Sequence, residues 1–136
     1  MGAPPAVRAA AWAALLSGAP STLNALATGG DPFEATLAAG SILLPRETRP
    51  GRLLAAAVPV HLALSLGWAV ALERAGARGA GRGALAGLAI GAVDLTLAAR
   101  VVPRIRALPL LPQLADHVAY GAIVGHILGR SRAAQG

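Results

Sequence analysis

An all-α, polytopic helical bundle in a membrane is the fold class this chain predicts, and three observations carry that expectation. Apolar residues make up 55% of the 136 positions and charged residues 13%, whereas soluble domains carry roughly 25% charged. Four segments are apolar over about the 20 residues that a helix rising about 1.5 Å per residue needs to cross a hydrocarbon core. The charges collect in the gaps between those segments. The length fits a single domain, residues 1–136.

The first segment, Ala9–Thr28, is uncharged but holds Ser17, Pro20, Ser21, Thr22 and Asn24. It reads as a span bent at Pro20, because proline removes a helical hydrogen bond. A rival reading is a signal peptide, with Arg8, a short apolar run and Ala25-Leu26-Ala27 as the cleavage site; a mature N-terminus at Thr28 would distinguish it. Gly29-Gly30-Asp31-Pro32 then predicts a turn followed by a helix start, with Asp31 as cap and Pro32 in first helical position. The helix it opens, Phe33–Leu44, is too short to cross and predicts an interfacial or re-entrant element.

Leu53–Leu72 is the clearest span, with Pro59 and His61 inside it. A loop rich in glycine and arginine, Glu73–Arg82, leads to Ala84–Val102, which carries Asp94 near its middle. After the proline-punctuated stretch from Pro103 to Pro112, the last apolar run is Leu114–Leu128; including the flanking residues, the span is Leu110–Gly129. Arg130 and Arg132 flank its end. Four crossings would leave Arg8, Arg74, Arg78, Arg82, Arg130 and Arg132 on one side and Arg46, Arg49, Arg52, Arg100, Arg104 and Arg106 on the other. This even division gives the positive-inside rule no bias to act on.

All 12 basic residues are arginine, and they are spread through the gaps. A nucleic-acid-binding protein would gather them on one face, so the expected partners are the lipid bilayer and its headgroups rather than nucleic acid. A homo-oligomer or a partner membrane protein is a further expectation. The chain has no cysteine, which excludes disulfides, thiolate metal sites and cysteine nucleophiles. A weak internal echo relates the segment beginning at Thr36 to that beginning at Thr96, each followed by a helix with an early histidine, His61 or His117.

A carboxylate deep in an apolar span costs about 2.5–3.5 kcal/mol on insertion scales and requires a partner. If the second and third spans form an antiparallel hairpin, His61 and Asp94 lie at the same depth, 11 residues from either side of the loop. Ser65 and Trp68 share the His61 face. An intramembrane polar site of Asp94, His61 and Ser65 is therefore expected. It reads either as a proton or cation site or as a hydrogen bond that locks the hairpin. A pairing of Asp94 with an arginine is the other alternative.

Two glycine stripes, Gly83-Gly87-Gly91 and Gly121-Gly125-Gly129, follow the i, i+4 spacing of close helix packing. The last span also holds a second polar cluster, Asp116, His117, Tyr120 and His126. His117 shares a face with Gly121 and Gly125, while His126 points the opposite way, so the two cannot ligate one metal. His61 with His117 or His126 could supply the axial ligands of a b-type haem. Against this, His61 is central while the other two lie near opposite ends of their helix. Trp12, Phe33, Trp68 and Tyr120 are also few aromatics to line a porphyrin. The expected cofactor is thus none, with haem b the minor alternative. No GxSxG, Walker or dinucleotide sequence is present, so no catalytic residue is expected.

Asp116-His117-Val-Ala-Tyr120-Gly121-Ala-Ile-Val-Gly125 resembles the final-helix pattern D-H-x-x-Y/F-G-x-x-x-G of small multi-pass membrane proteins of high-GC actinobacteria, a family without an assigned activity. The resemblance implies a polytopic helical fold in the cell membrane. The expected function is a non-enzymatic accessory or conduit protein, with a proton- or ion-coupled transport protein as alternative.

Overall fold

The structure is a computed structural model that describes residues 2–133, except for the side chain of Arg132. Arg132, expected to flank the last helix with Arg130, therefore lies outside the described side chains. Among the described residues seven helices follow one another: α1 (Pro5–Leu16), α2 (Ala19–Thr28), α3 (Glu34–Gly40), α4 (Pro50–Arg74), α5 (Ala80–Val101), α6 (Pro103–Arg106) and α7 (Leu110–Ala133). No strand occurs among the described residues.

Two helices, α4 with 25 residues and mean hydropathy 1.9 and α5 with 22 residues and 1.6, are long and apolar enough to cross a membrane. Helix α7 has 24 residues but carries Gln113, Asp116, His117 and His126. The first expected span is divided. It breaks at Ser17-Gly18, where the Ser17 N–H still reaches the Ala13 carbonyl at 2.9 Å and glycine then ends the turn. Pro20 sits in the first turn of α2, where its missing N–H costs nothing. The expected bend thus becomes a break, three residues earlier than the proline.

Helix α2 ends on Gly29 in the left-handed region (φ 71°), and the Gly30 N–H returns to the Ala25 carbonyl at 2.8 Å. The turn that follows differs in detail from expectation. The Asp31 carboxylate accepts the Phe33 N–H at 2.8 Å, and the helix begins at Glu34, two residues after Pro32. Helix α3 then stops at Gly40, well short of Leu44. Leu37, Ala38 and Gly40 are its buried residues, and the helix packs on α4. A Cβ at Gly40 would overlap the Leu53 carbonyl.

Helix α4 extends beyond its expected span at both ends, α5 begins four residues earlier than expected but ends one residue short, and α7 runs four residues further. Proline opens α4 at Pro50, and Pro103 stops α5 by forcing Val102 into extended geometry (φ −119°, ψ 99°). The short α6 is tied to α3 by a bidentate ion pair, with Arg104 Nε and Nη2 donating to Glu34 at 2.7 and 2.9 Å. Ala38, Val102 and Ile105 form a small apolar cluster beneath that pair.

Helix α7 is the centre of the assembly: it touches α1, α2, α4 and α5, and its most extensive contact is with α5. Helices α4 and α5, although consecutive, touch only slightly. The reason is the pair of glycine stripes, which face each other. A Cβ on Gly83 would overlap the Gly121 carbonyl, one on Gly87 the His117 carbonyl, and one on Gly121 the Gly83 carbonyl. One on Gly91 would lie 2.8 Å from the His117 Cβ. The stripe is anchored at its end by the Gly79 N–H, which donates to the Gly125 carbonyl at 2.8 Å. Gly129 lies at the margin, its nearest neighbour 3.3 Å from a notional Cβ. On the opposite side of α7, four buried alanines of α1 (Ala6, Ala9, Ala10 and Ala13) join Leu72, Val124 and Leu128 in the main core. The outer surface is apolar: Leu15 is 78% exposed, Leu85 72%, Val101 75% and Leu111 78%.

Candidate functional site

The carboxylate of Asp94 lies where α4, α5 and α7 converge. The Trp68 indole N–H of α4 donates to Asp94 Oδ2 at 2.9 Å. The same oxygen stands 3.7 Å from Nε2 of His117, on α7. The Asp94 and His117 side chains are 26% and 23% exposed. A carbonyl can only accept, so the 2.8 Å contact between His117 Nδ1 and the Gln113 carbonyl requires the hydrogen on Nδ1. A neutral imidazole would then present its Nε2 lone pair to the carboxylate. A proton on Nε2 would turn the contact into an ion pair, at a separation longer than a hydrogen bond.

Close to this cluster the Tyr120 hydroxyl donates to the Ser65 carbonyl of α4; both residues are buried. Tyr120 and Trp68 are thus the two side chains by which α4 is hydrogen-bonded to its neighbours α7 and α5. Each brings an apolar ring with one donor that must be satisfied when buried.

The expected pairing of Asp94 with His61 is not formed. His61 faces α1 instead, its Nε2–H donating to the Ala14 carbonyl at 2.8 Å. The hairpin geometry behind the expectation assumed that α4 and α5 lie side by side, and α7 takes most of that place on α5. Ser65 contributes its backbone carbonyl rather than its hydroxyl to the neighbouring tie. Helical spacing alone puts Trp68 on the His61 face and leaves its indole without a named partner. The available signal was an indole N–H, half-buried in the structure, on the same face as the sought carboxylate partner.

The second cluster separates into different duties. Asp116 Oδ1 accepts the Ser21 backbone N–H at 2.9 Å. Ser21 is the third residue of α2, one of the helix-start amides that lack a partner within the helix. Ala14 lies in the last turn of α1, where carbonyls are similarly orphaned. The interruption between α1 and α2 is therefore closed from both sides, by His61 of α4 on the carbonyl end and Asp116 of α7 on the amide end. Both side chains have the polarity that the helix dipoles favour.

His126 is exposed and lines a groove of about 580 Å³ between α1 and α7, together with Arg8 and Arg130. The three histidines thus face α1, α5 and the outer groove respectively. His61 has committed Nε2 to Ala14, and both ring nitrogens of His117 have neighbours, so the residues do not fit a shared axial pair for haem. Among the described residues, no three His, Asp or Glu side chains converge as a metal site.

Comparison of the chain with protein-family models, with curated proteins and with solved structures finds no match.

Proposed function

We propose that this chain is a non-enzymatic, four-span protein of the cell membrane, and that its working part is a proton held between Asp94 and His117. The four spans are α1 with α2 taken together, α4, α5 and α7. The apolar outer surface supports that reading, since soluble proteins rarely expose contiguous apolar surface on this scale. The capped break supports it too, because backbone freed inside lipid must be satisfied by the protein itself.

The observation that carries the proton site is the orientation of His117. Its Nδ1–H is spent on Gln113, so Nε2 meets the Asp94 carboxylate with a lone pair unless a proton lies between them. Loss or gain of that proton changes the charge at the α5–α7 contact, directly beside the glycine stripes. A small proton conduit, or a proton-sensing subunit of a larger membrane assembly, follows from that chemistry.

A second reading rests on the Trp68 and Tyr120 hydrogen bonds. These make the cluster a static lock on α4, each bond contributing about 0.6 kcal/mol in lipid. Proton entry into liposomes carrying a trapped pH dye separates the two. The proton reading expects flux in the native protein and its loss in Asp94→Asn, with the folded state retained in detergent. A native protein that leaves the dye unchanged, or an Asp94→Asn variant that conducts as well as native, would sink the conduit. An Asp94→Asn variant that loses only thermal stability would favour the lock.

A further inference from the structure

The groove between α1 and α7 differs from the rest of the apolar exterior in having two charges at one end. Helices α1 and α7 run antiparallel there, because Arg8 near the start of α1 donates to Ser131 Oγ near the end of α7 at 2.6 Å. Ser131 in turn donates to the Ile127 carbonyl at 2.8 Å, which fixes the hydroxyl that steadies the guanidinium. Arg130 lines the same groove. Among the described residues neither arginine has a carboxylate partner, in contrast to Arg49, Arg52 and Arg104. Away from this end the lining turns apolar, with Trp12, Leu16, Ile123 and Ile127. From Arg8 to Leu16 the wall extends about 12 Å along the helix axis.

We propose that this groove binds one anionic glycerophospholipid, its phosphate between Arg8 and Arg130 and an acyl chain along Trp12, Ile127, Ile123 and Leu16. The proposal rests on the membrane reading above and adds a specific lipid site to it. Charge complementarity selects the occupant: two cations without a carboxylate partner among the described residues sit at the end of the groove where α1 begins and α7 closes, and the wall below them is apolar apart from His126. Basic pockets between membrane helices bind anionic headgroups in this manner. Guanidinium forks match phosphate oxygens in pairs. The volume of about 580 Å³ is in the range of roughly 300–1,000 Å³ typical of small-molecule sites. Trp12, 53% exposed on the groove wall, has the amphipathic ring that prefers the headgroup level.

Trp12 also supplies the reporter. The protein is reconstituted in bilayers of phosphatidylcholine and phosphatidylglycerol in which one or the other lipid carries brominated chains that quench nearby indoles. A Trp68→Phe background leaves Trp12 as the single tryptophan. Brominated phosphatidylglycerol should quench Trp12 more than brominated phosphatidylcholine at equal mole fraction. The local preference should be on the order of tenfold, as expected of two arginines facing an anionic lipid. Arg8→Gln with Arg130→Gln should equalise the two lipids, while Arg46→Gln with Arg106→Gln should leave the preference intact. Equal quenching in the native groove would overturn the proposal, as would a preference that survives Arg8→Gln with Arg130→Gln. Competition by millimolar inorganic phosphate would also overturn it, by assigning the arginines to a free anion. Extraction of the protein from membranes by alkaline carbonate would overturn both the four-span reading and the lipid site. Equal quenching of a protein that resists carbonate overturns the lipid site alone.

Discussion

Asp116 and Ser21 are 95 residues apart in the chain, yet the carboxylate of one accepts the backbone N–H of the other at 2.9 Å. The contact makes α7 the cap of α2. A helix that begins inside the fold, with no side chain of its own at the N-cap, borrows its cap from the far end of the sequence. Removal of an N-cap side chain costs about 0.5–2 kcal/mol. Asp116→Ala should therefore lower the unfolding midpoint in detergent by a corresponding amount, while Asp116→Asn, which keeps an acceptor oxygen, should lose less. Equal losses in the two variants would show that the cap is not the source of the effect.

The glycine contact between α5 and α7 predicts a sharper contrast. A methyl group at Gly87 collides with the His117 backbone carbonyl, and neither helix can yield without separating the stripes. Gly87→Ala should cost about 1–3 kcal/mol, the range for overpacking a tight interior. Gly81→Ala, on the same helix with nothing within 4 Å of its notional Cβ, should be neutral or stabilising by up to about 1 kcal/mol through helix propensity. Thermal unfolding of the pair, monitored by far-UV circular dichroism, checks the contrast.

The Glu34–Arg104 pair ties the two short helices together, with side chains 40% and 32% exposed. Hydrogen bonding to Glu34 strengthens the hold of Arg104 on its proton, so the guanidinium is charged at every accessible pH. Screening at such exposure limits the coupling to about 0.2–1 kcal/mol. A double-mutant cycle of Glu34→Gln and Arg104→Gln should return that value at low salt and a smaller one at 1 M salt. A coupling insensitive to salt would contradict the geometry.

Glu47 supplies a pH prediction outside the helices that are long and apolar enough to cross a membrane. Its carboxylate takes the Arg49 side chain at 3.1 and 3.2 Å, that residue's backbone N–H at 3.0 Å, and Arg52 at 3.3 Å. Chiefly through the Arg49 side chain, these partners lower its pKa from 4.5 to about 2. A lowered folded-state value means that the contribution to stability is present above pH 4.5 and is lost as pH falls from there through 2. The carboxyl carbon of Glu47, followed by NMR, should titrate near pH 2 in the native protein and move toward 4.5 in Arg49→Ala.

What could be read in advance follows from how local each determinant is. The two long apolar helices, the stop at Pro103 and the turn at Gly29 depend on residues within a few positions of one another, and the sequence displays them directly. The break at Gly18 was half visible: Pro20 marked the region, but proline is tolerated in a first helical turn, so the chain breaks before it. Which helix stands beside which is a matter of matching surfaces. Each glycine stripe was legible alone, at residues 83–91 and 121–129. That they interlock was not, and this interlocking brings His117 rather than His61 to Asp94. Adjacency in the chain favoured a hairpin of α4 and α5, and complementarity of small residues outweighed it.

The central position of α7 bears on the order in which the protein is made. Among these helices it is the last to be synthesised, yet α1, α2, α4 and α5 all pack on it. Until it arrives, the glycine face of α5 has no partner, α2 lacks its borrowed cap, and Asp94 has Trp68 but not His117. Helices α1 and α3 already have α4 to pack on, so the closing step of assembly brings α2 and α5 to them and completes the packing and the polar centre at the same moment.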